Sequence, residues 1–62
     1  MDTLLFRPEE GAQILGVSRA RLFELLAAGQ IESVKIGRSR RIPRAALEAY
    51  VDRLRREQAA AA

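Results

Sequence analysis

Three residues, Gly16-Val17-Ser18, constrain this chain more than any others, because they are all that separates two short segments of helical periodicity. The first segment opens at Pro8, whose fixed φ suits a first helical turn and whose missing N–H would have no partner there. Glu9 and Glu10 follow where the helix dipole favours negative charge. The spacing predicts a helix from Pro8 to about Leu15, with Ala12, Ile14 and Leu15 facing inward and Gly16 ending it in the left-handed conformation. Val17 anchors the turn, and Ser18 is a good N-cap, its hydroxyl placed to accept from an N–H two or three residues on. From Arg19 to Ala28, Leu22, Leu25 and Leu26 recur at helical spacing, and Gly29 is the stop. A three-residue turn containing glycine between two such helices is the signature of a helix-turn-helix.

Past Ile31 the period changes: Val34 and Ile36 alternate with Ser33 and Lys35, Gly37-Arg38-Ser39 makes a turn, and Arg40-Arg41-Ile42 returns. This predicts a small β-hairpin with a basic tip. Pro43 closes it and leads into a third helix from about Arg44 to Glu57, with Leu47, Tyr50, Val51 and Leu54 on one stripe. The alanines at the end have high helix propensity and nothing to pack against, so residues 58–62 are expected to fray, leaving an ordered core of about residues 5–57. The expected fold is mainly α with a small β-hairpin: one winged helix-turn-helix domain over residues 1–62, with three helices and a two-stranded wing.

A chain of 62 residues builds only one small core and holds little stability in reserve. The sequence has no Cys and no His, which excludes disulfides, a Cys/His zinc site, and acid–base or nucleophilic chemistry by either residue. With no nucleophile–base pair, metal cluster or phosphate-cradling glycine loop, an enzyme is the weakest reading, and no cofactor is expected. Met1–Pro8 shows no basic stretch followed by a long apolar run, and nowhere do roughly eighteen apolar residues occur in succession. Neither a signal peptide nor a membrane span is expected, and the expected location is cytoplasmic, with the nucleoid.

Net charge is +3, unevenly spread. Between Ser18 and Arg44 seven cations face two carboxylates, whereas the remainder carries four cations and six carboxylates. Such polarity reads as one face meeting an anion and the other facing solvent. Arginine supplies ten of the eleven cations, a bias that suits bidentate contact with phosphate or guanine and that a GC-rich genome would also produce.

Within that basic region, Ser18, Arg19, Ala20 and Arg21 form the N-terminal turn of the second helix, the part of a helix-turn-helix that enters the major groove of double-stranded DNA. Arg21 and Glu24 share a face away from the leucines. Arginine pairs with guanine O6 and N7, and glutamate accepts from cytosine N4; the competing reading is an ordinary solvated i,i+3 ion pair. Phe23 is assigned either to the wing, to a sugar-phosphate backbone, or to simple core filling. In the hairpin, Lys35, Arg38, Arg40 and Arg41 cannot all be satisfied by Glu32, the one acid nearby, so the wing, with Ser39 at its turn, is expected to touch phosphates or a minor groove, Arg38 and Arg41 foremost. Arg53, Arg55 and Arg56 are set aside, because Asp52, Glu57 and the helix dipole account for them. A monomer this small covers about one half-site, so specificity is expected to need several copies binding cooperatively, with contact between neighbours through the third helix.

The blocks Pro8-Glu9-Glu10-Gly11-Ala12, Leu15-Gly16-Val17-Ser18-Arg19, Gly29, Ile31, Val34-Lys35-Ile36-Gly37-Arg38 and Arg41-Ile42-Pro43-Arg44-Ala45-Ala46-Leu47-Glu48 resemble the excisionase family of MerR-like winged-helix proteins, over about Leu5 to Leu54. The resemblance implies a recombination directionality factor that needs no cofactor. Its second helix would enter the major groove and its wing an adjacent minor groove. Such proteins bind repeated sites beside a mobile element, bend the DNA and steer a separate integrase toward excision. Two positions depart from the family. Arg40 stands where relatives often carry an aromatic residue; its parity with Ile42 aims it inward, so that it either stacks over the hairpin or adds a DNA contact. Arg7 stands where many carry a Thr or Ser cap, which implies a less well-capped first helix or a phosphate contact. The competing functions are a small MerR-like transcriptional regulator, which an absent neighbouring integrase gene would favour, and a protein-interaction adaptor docking through the third helix, which would show no salt-dependent affinity for duplex DNA.

Overall fold

The computed structural model describes residues 3–61. In chain order they form β1 (Leu5–Phe6), α1 (Pro8–Leu15), α2 (Arg19–Ala27), β2 (Val34–Ile36), β3 (Ser39–Pro43) and α3 (Arg44–Ala61). All three helices and the hairpin lie where the sequence places them.

Both helices of the helix-turn-helix end by the same device. Gly16 adopts the left-handed conformation at φ 73°, and the Val17 N–H reaches back to the Ala12 carbonyl at 3.0 Å, the long-range bond of a Schellman motif. After α2 the Gln30 N–H reaches the Leu25 carbonyl at 2.9 Å in the same way. A residue with a Cβ at Gly16 would be strained in that conformation, so the tight turn into Ser18 depends on glycine. At the start of α1, Arg7 offers no acceptor, but the Glu10 carboxylate accepts from the Arg7 backbone N–H at 2.8 Å. This is one half of a capping box, and it supplies the cap that Arg7 cannot.

Three differences from the sequence reading stand out. The sheet has three strands, in the order β1-β3-β2, where a two-stranded wing was expected. Leu5 pairs with Pro43 and Phe6 with Ile42, antiparallel, and the Arg44 N–H continues the pairing to the Leu4 carbonyl at 2.8 Å. A strand of two residues is too short to show any periodicity. Second, α3 does not stop at Glu57 but continues through Ala61; alanine has the highest helix propensity of all residues, and here it holds the helix without packing. Ala62, the end of the expected frayed tail, lies outside the described residues. Third, Ile14 is not inward but 56% exposed, because α1 turns Ala12 and Leu15 toward the core instead.

The core is Ala12 of α1, Leu22 and Leu25 of α2, Ile31, Ile42 of β3, and Ala46 and Leu47 of α3, with Phe6, Leu15, Val17, Leu26 and Tyr50 packed around it. Leu22 and Ile42 are the two large side chains removed completely from solvent, so α2 and β3 are fixed to each other through the centre of the molecule. The alternation of Val34 and Ile36 produces no buried face: all three residues of β2 are exposed.

Candidate nucleic-acid interface

Ser18 caps α2 from an extended backbone conformation, and its Oγ accepts from the Arg21 N–H at 3.1 Å. That bond fixes the first turn and leaves the hydroxyl hydrogen available to donate outward. Leu22 and Leu25 hold the opposite side of the helix in the core, so Arg19, Ala20, Arg21, Phe23 and Glu24 are all exposed. Ala20 adds only a methyl group, which lets this turn approach another surface closely.

The two arginines of the turn are both engaged. Arg21 Nη1 lies 3.2 Å from Glu24 Oε1, the i,i+3 pair on one helix. Arg19 Nη2 lies 3.5 Å from Glu9 Oε1 of α1, and its guanidinium sits 5.3 Å from the centroid of the Phe23 ring. Phe23 is 38% exposed and, with Leu26, Ala27 and Arg40, lines an open cavity of about 380 Å³ between α2 and the wing. Of the readings offered for Phe23, it is therefore the neighbour of the wing, outside the buried core.

The wing is a two-residue hairpin. Val34 pairs with Arg41, Lys35 with Arg40 and Ile36 with Ser39, which leaves Gly37 and Arg38 as the loop. Gly37 has φ 62° and no residue other than glycine has positive φ, the pattern of a type II′ turn with glycine at its first position. Arg38 is thereby presented at the tip. It and Lys35 are exposed and make no ion pair or side-chain hydrogen bond among the described residues. Arg40 and Arg41 are less free. Arg40 Nη1 donates to Ser33 Oγ at 2.6 Å, and Arg41 Nη1 donates to the Arg40 carbonyl at 3.0 Å with the side chain half-buried. Arg40 thus lies on the core side of the hairpin, as its parity with Ile42 requires, but remains exposed and braces the base of the wing. Ser39 is exposed beside the tip.

Two contributors escaped the sequence. Arg53 of α3 donates from Nη2 to the Gln30 carbonyl at 3.0 Å and to Gln30 Oε1 at 2.6 Å, and lies 5.6 Å from the Tyr50 ring centroid. It ties α3 to the link between α2 and the wing and so sets how those two elements sit together. No spacing rule predicts a contact across 23 residues. The second is an open groove of about 580 Å³ between α1 and α3, lined by Ile14, Leu15, Leu47 and Val51 with Glu48, Asp52 and Arg55 on its edges. Ile14 and Val51 leave apolar surface exposed there. Of the other α3 cations, Arg56 pairs with Asp52 at 3.2 Å, the solvated pair that its spacing implies.

Among the described residues no cluster of three or more His, Cys, Asp or Glu side chains could hold a metal ion, and no helix is long and apolar enough to cross a membrane. The helix-turn-helix domain family matches residues 5–55, from β1 into α3. The chain is similar to a protein of Saccharopolyspora erythraea named "Probable excisionase", 50% identical over 60 residues that make up 97% of this chain and 61% of that protein. The resemblance to excisionases thus extends over nearly the whole chain, while the chain spans about three-fifths of the length of that relative. No solved structure gives a significant match.

Proposed function

The chain belongs to the helix-turn-helix domain family, and from that premise we propose that it is a sequence-specific double-stranded DNA-binding protein acting as an excisionase. Its work is binding and not catalysis. The observation that carries this reading is the pairing of two exposed elements across one cavity: the capped N-terminal turn of α2, bearing Arg19 and Arg21, and a hairpin whose Lys35 and Arg38 have no carboxylate partner among the described residues. A helix of this diameter fits the major groove, and Arg21 and Glu24 present a donor fork and an acceptor of the kind that read guanine and cytosine. The unpaired cations of the wing gain from releasing counterions along the phosphates or in the adjacent minor groove. In this reading several copies bind neighbouring sites, bend the attachment-site DNA and direct an integrase toward excision of a mobile element. The α1–α3 groove, with its exposed Ile14 and Val51, is the surface we assign to the neighbouring copy.

The reading is tested by fluorescence anisotropy on attachment-site DNA and a scrambled duplex across a salt series, together with an excision assay. Affinity that falls steeply with salt, cooperative filling of multi-site fragments and excision that requires the protein are the expected results. Excision undiminished in its absence removes the role, and a chain that binds neither duplex removes DNA binding altogether.

A further inference from the structure

Glu9 has no role in the DNA contacts described above, yet it is the residue that meets the first cation of α2. Its Oε1 lies 3.5 Å from Arg19 Nη2, and the same guanidinium is backed by the Phe23 ring at 5.3 Å. Arg19 is therefore held between a carboxylate from α1 and an aromatic face from α2. The neighbouring acid is differently employed: the Glu10 carboxylate caps α1 through the Arg7 N–H at 2.8 Å. Capping thus explains Glu10 and leaves the direction of Glu9 unexplained. The first turn of α2 has no acid of its own, so Glu9 is the resident anion at that turn.

We propose that Glu9 is a specificity-determining residue: its carboxylate occupies the Arg19 guanidinium in the free protein and withholds that cation from the phosphates of arbitrary DNA. The inference rests on the DNA-binding reading and deepens it. Both partners are exposed and 3.5 Å apart, a loose pair that a phosphate oxygen can replace once α2 is seated. On a duplex with the wrong sequence α2 stays shallow, Arg19 stays with Glu9, and the free wing cations Lys35 and Arg38 do most of the holding. On the right sequence, base contacts draw α2 into the groove and Arg19 exchanges the carboxylate for a phosphate. The carboxylate therefore lowers binding to random sequence more than binding to the true site, and a ratio of affinities is what specificity consists of.

The test uses the full chain and two probes: a duplex enriched by the wild-type protein from a random-sequence pool, and a scrambled duplex of the same length. Glu9→Gln is compared with Glu48→Gln, which makes the same charge change on α3 beside the groove, away from the wing and α2. With Glu9→Gln the salt slope on the scrambled duplex should steepen by about 0.9, equal to one more phosphate contact. The enriched-to-scrambled affinity ratio should fall roughly 3-fold, the affinity that such a slope carries between 50 and 200 mM salt. Glu48→Gln should change neither, and the effect of Glu9→Gln should vanish in an Arg19→Ala background. A slope and ratio that match those of Glu48→Gln, a gain that persists without Arg19, or weakened binding to the enriched duplex each overturn the proposal. If the wild-type pool yields no enriched duplex and no salt-dependent binding, it is the DNA-binding reading itself that fails.

Discussion

The two basic elements are built on opposite terms. In α2 two leucines are buried and the cap is made, while Arg19 and Arg21 each have a carboxylate within ion-pair distance. The wing is anchored through one strand only. Ile42 on β3 is fully buried, whereas β2 is exposed throughout and its Lys35, like Arg38 at the tip, faces solvent without a partner. A rigid element with neutralised charges suits discrimination, because a misplaced donor then costs affinity. An exposed element with free charges suits attraction to any phosphate backbone, because it requires no particular geometry.

The largest effect should come where this contrast disappears. Leu22 of α2 and Ile42 of the wing strand are equally buried, at 0% exposure. Leu22→Ala and Ile42→Ala should each cost about 2–5 kcal/mol, comparable to the few kcal/mol that a core of this size supplies. Thermal melts followed by circular dichroism would show both variants largely unfolded near room temperature. A stable Ile42→Ala variant would mean that the whole wing, β3 included, is an appendage, and the contrast would then be sharper than drawn here.

Next in size is the division of labour on DNA. Arg21→Ala should remove about 1–3 kcal/mol of preference for the true site over a scrambled duplex. Arg38→Ala should weaken both duplexes alike and flatten the salt slope by about 0.9. Anisotropy titrations at several salt concentrations read both quantities. If Arg38→Ala erased the preference and Arg21→Ala did not, the wing would be the reader and the contrast would be reversed.

What the sequence made legible follows the same line. The helix-turn-helix could be read in full because its determinants are local: a proline at one start, a serine cap at the other, glycines at both ends and leucines at helical spacing. Gly37-Arg38 showed the hairpin for the same reason. What could not be read depends on contacts distant in sequence. β1 exists only because Phe6 pairs with Ile42; Arg53 matters only because the fold brings Gln30 to it; Glu9 meets Arg19 across the turn. Charge counting found the cations of the interface but not which were already engaged. Of the four in the wing, Arg40 and Arg41 turn out to be hydrogen-bonded within it.

A smaller effect separates pre-organisation from packing in α2. Ser18→Ala removes the acceptor for the Arg21 N–H and should cost roughly 1 kcal/mol. Since that bond also orders the turn bearing Arg19 and Arg21, preference for the true site should fall along with the melting temperature. A loss of stability with unchanged preference would show that the bound helix is ordered by DNA rather than by its cap.

The smallest effect expected is at Ile36, 59% exposed on β2 and paired across the hairpin with Ser39. An isoleucine contributes to stability in proportion to the apolar area it removes from water, and this one removes little. Its branched side chain favours extended backbone, but strand preference is mainly a matter of packing on a half-buried face, and β2 has none. Ile36→Ser should therefore shift stability by no more than about 0.5 kcal/mol, the range of surface substitutions. That near-neutrality makes the variant informative in the binding assay. With the fold unchanged, any loss of DNA affinity belongs to the interface, and it would place an apolar contact beside Arg38 in a wing otherwise described by charge alone. Unchanged affinity would leave attraction of phosphates as the whole contribution of the outer strand.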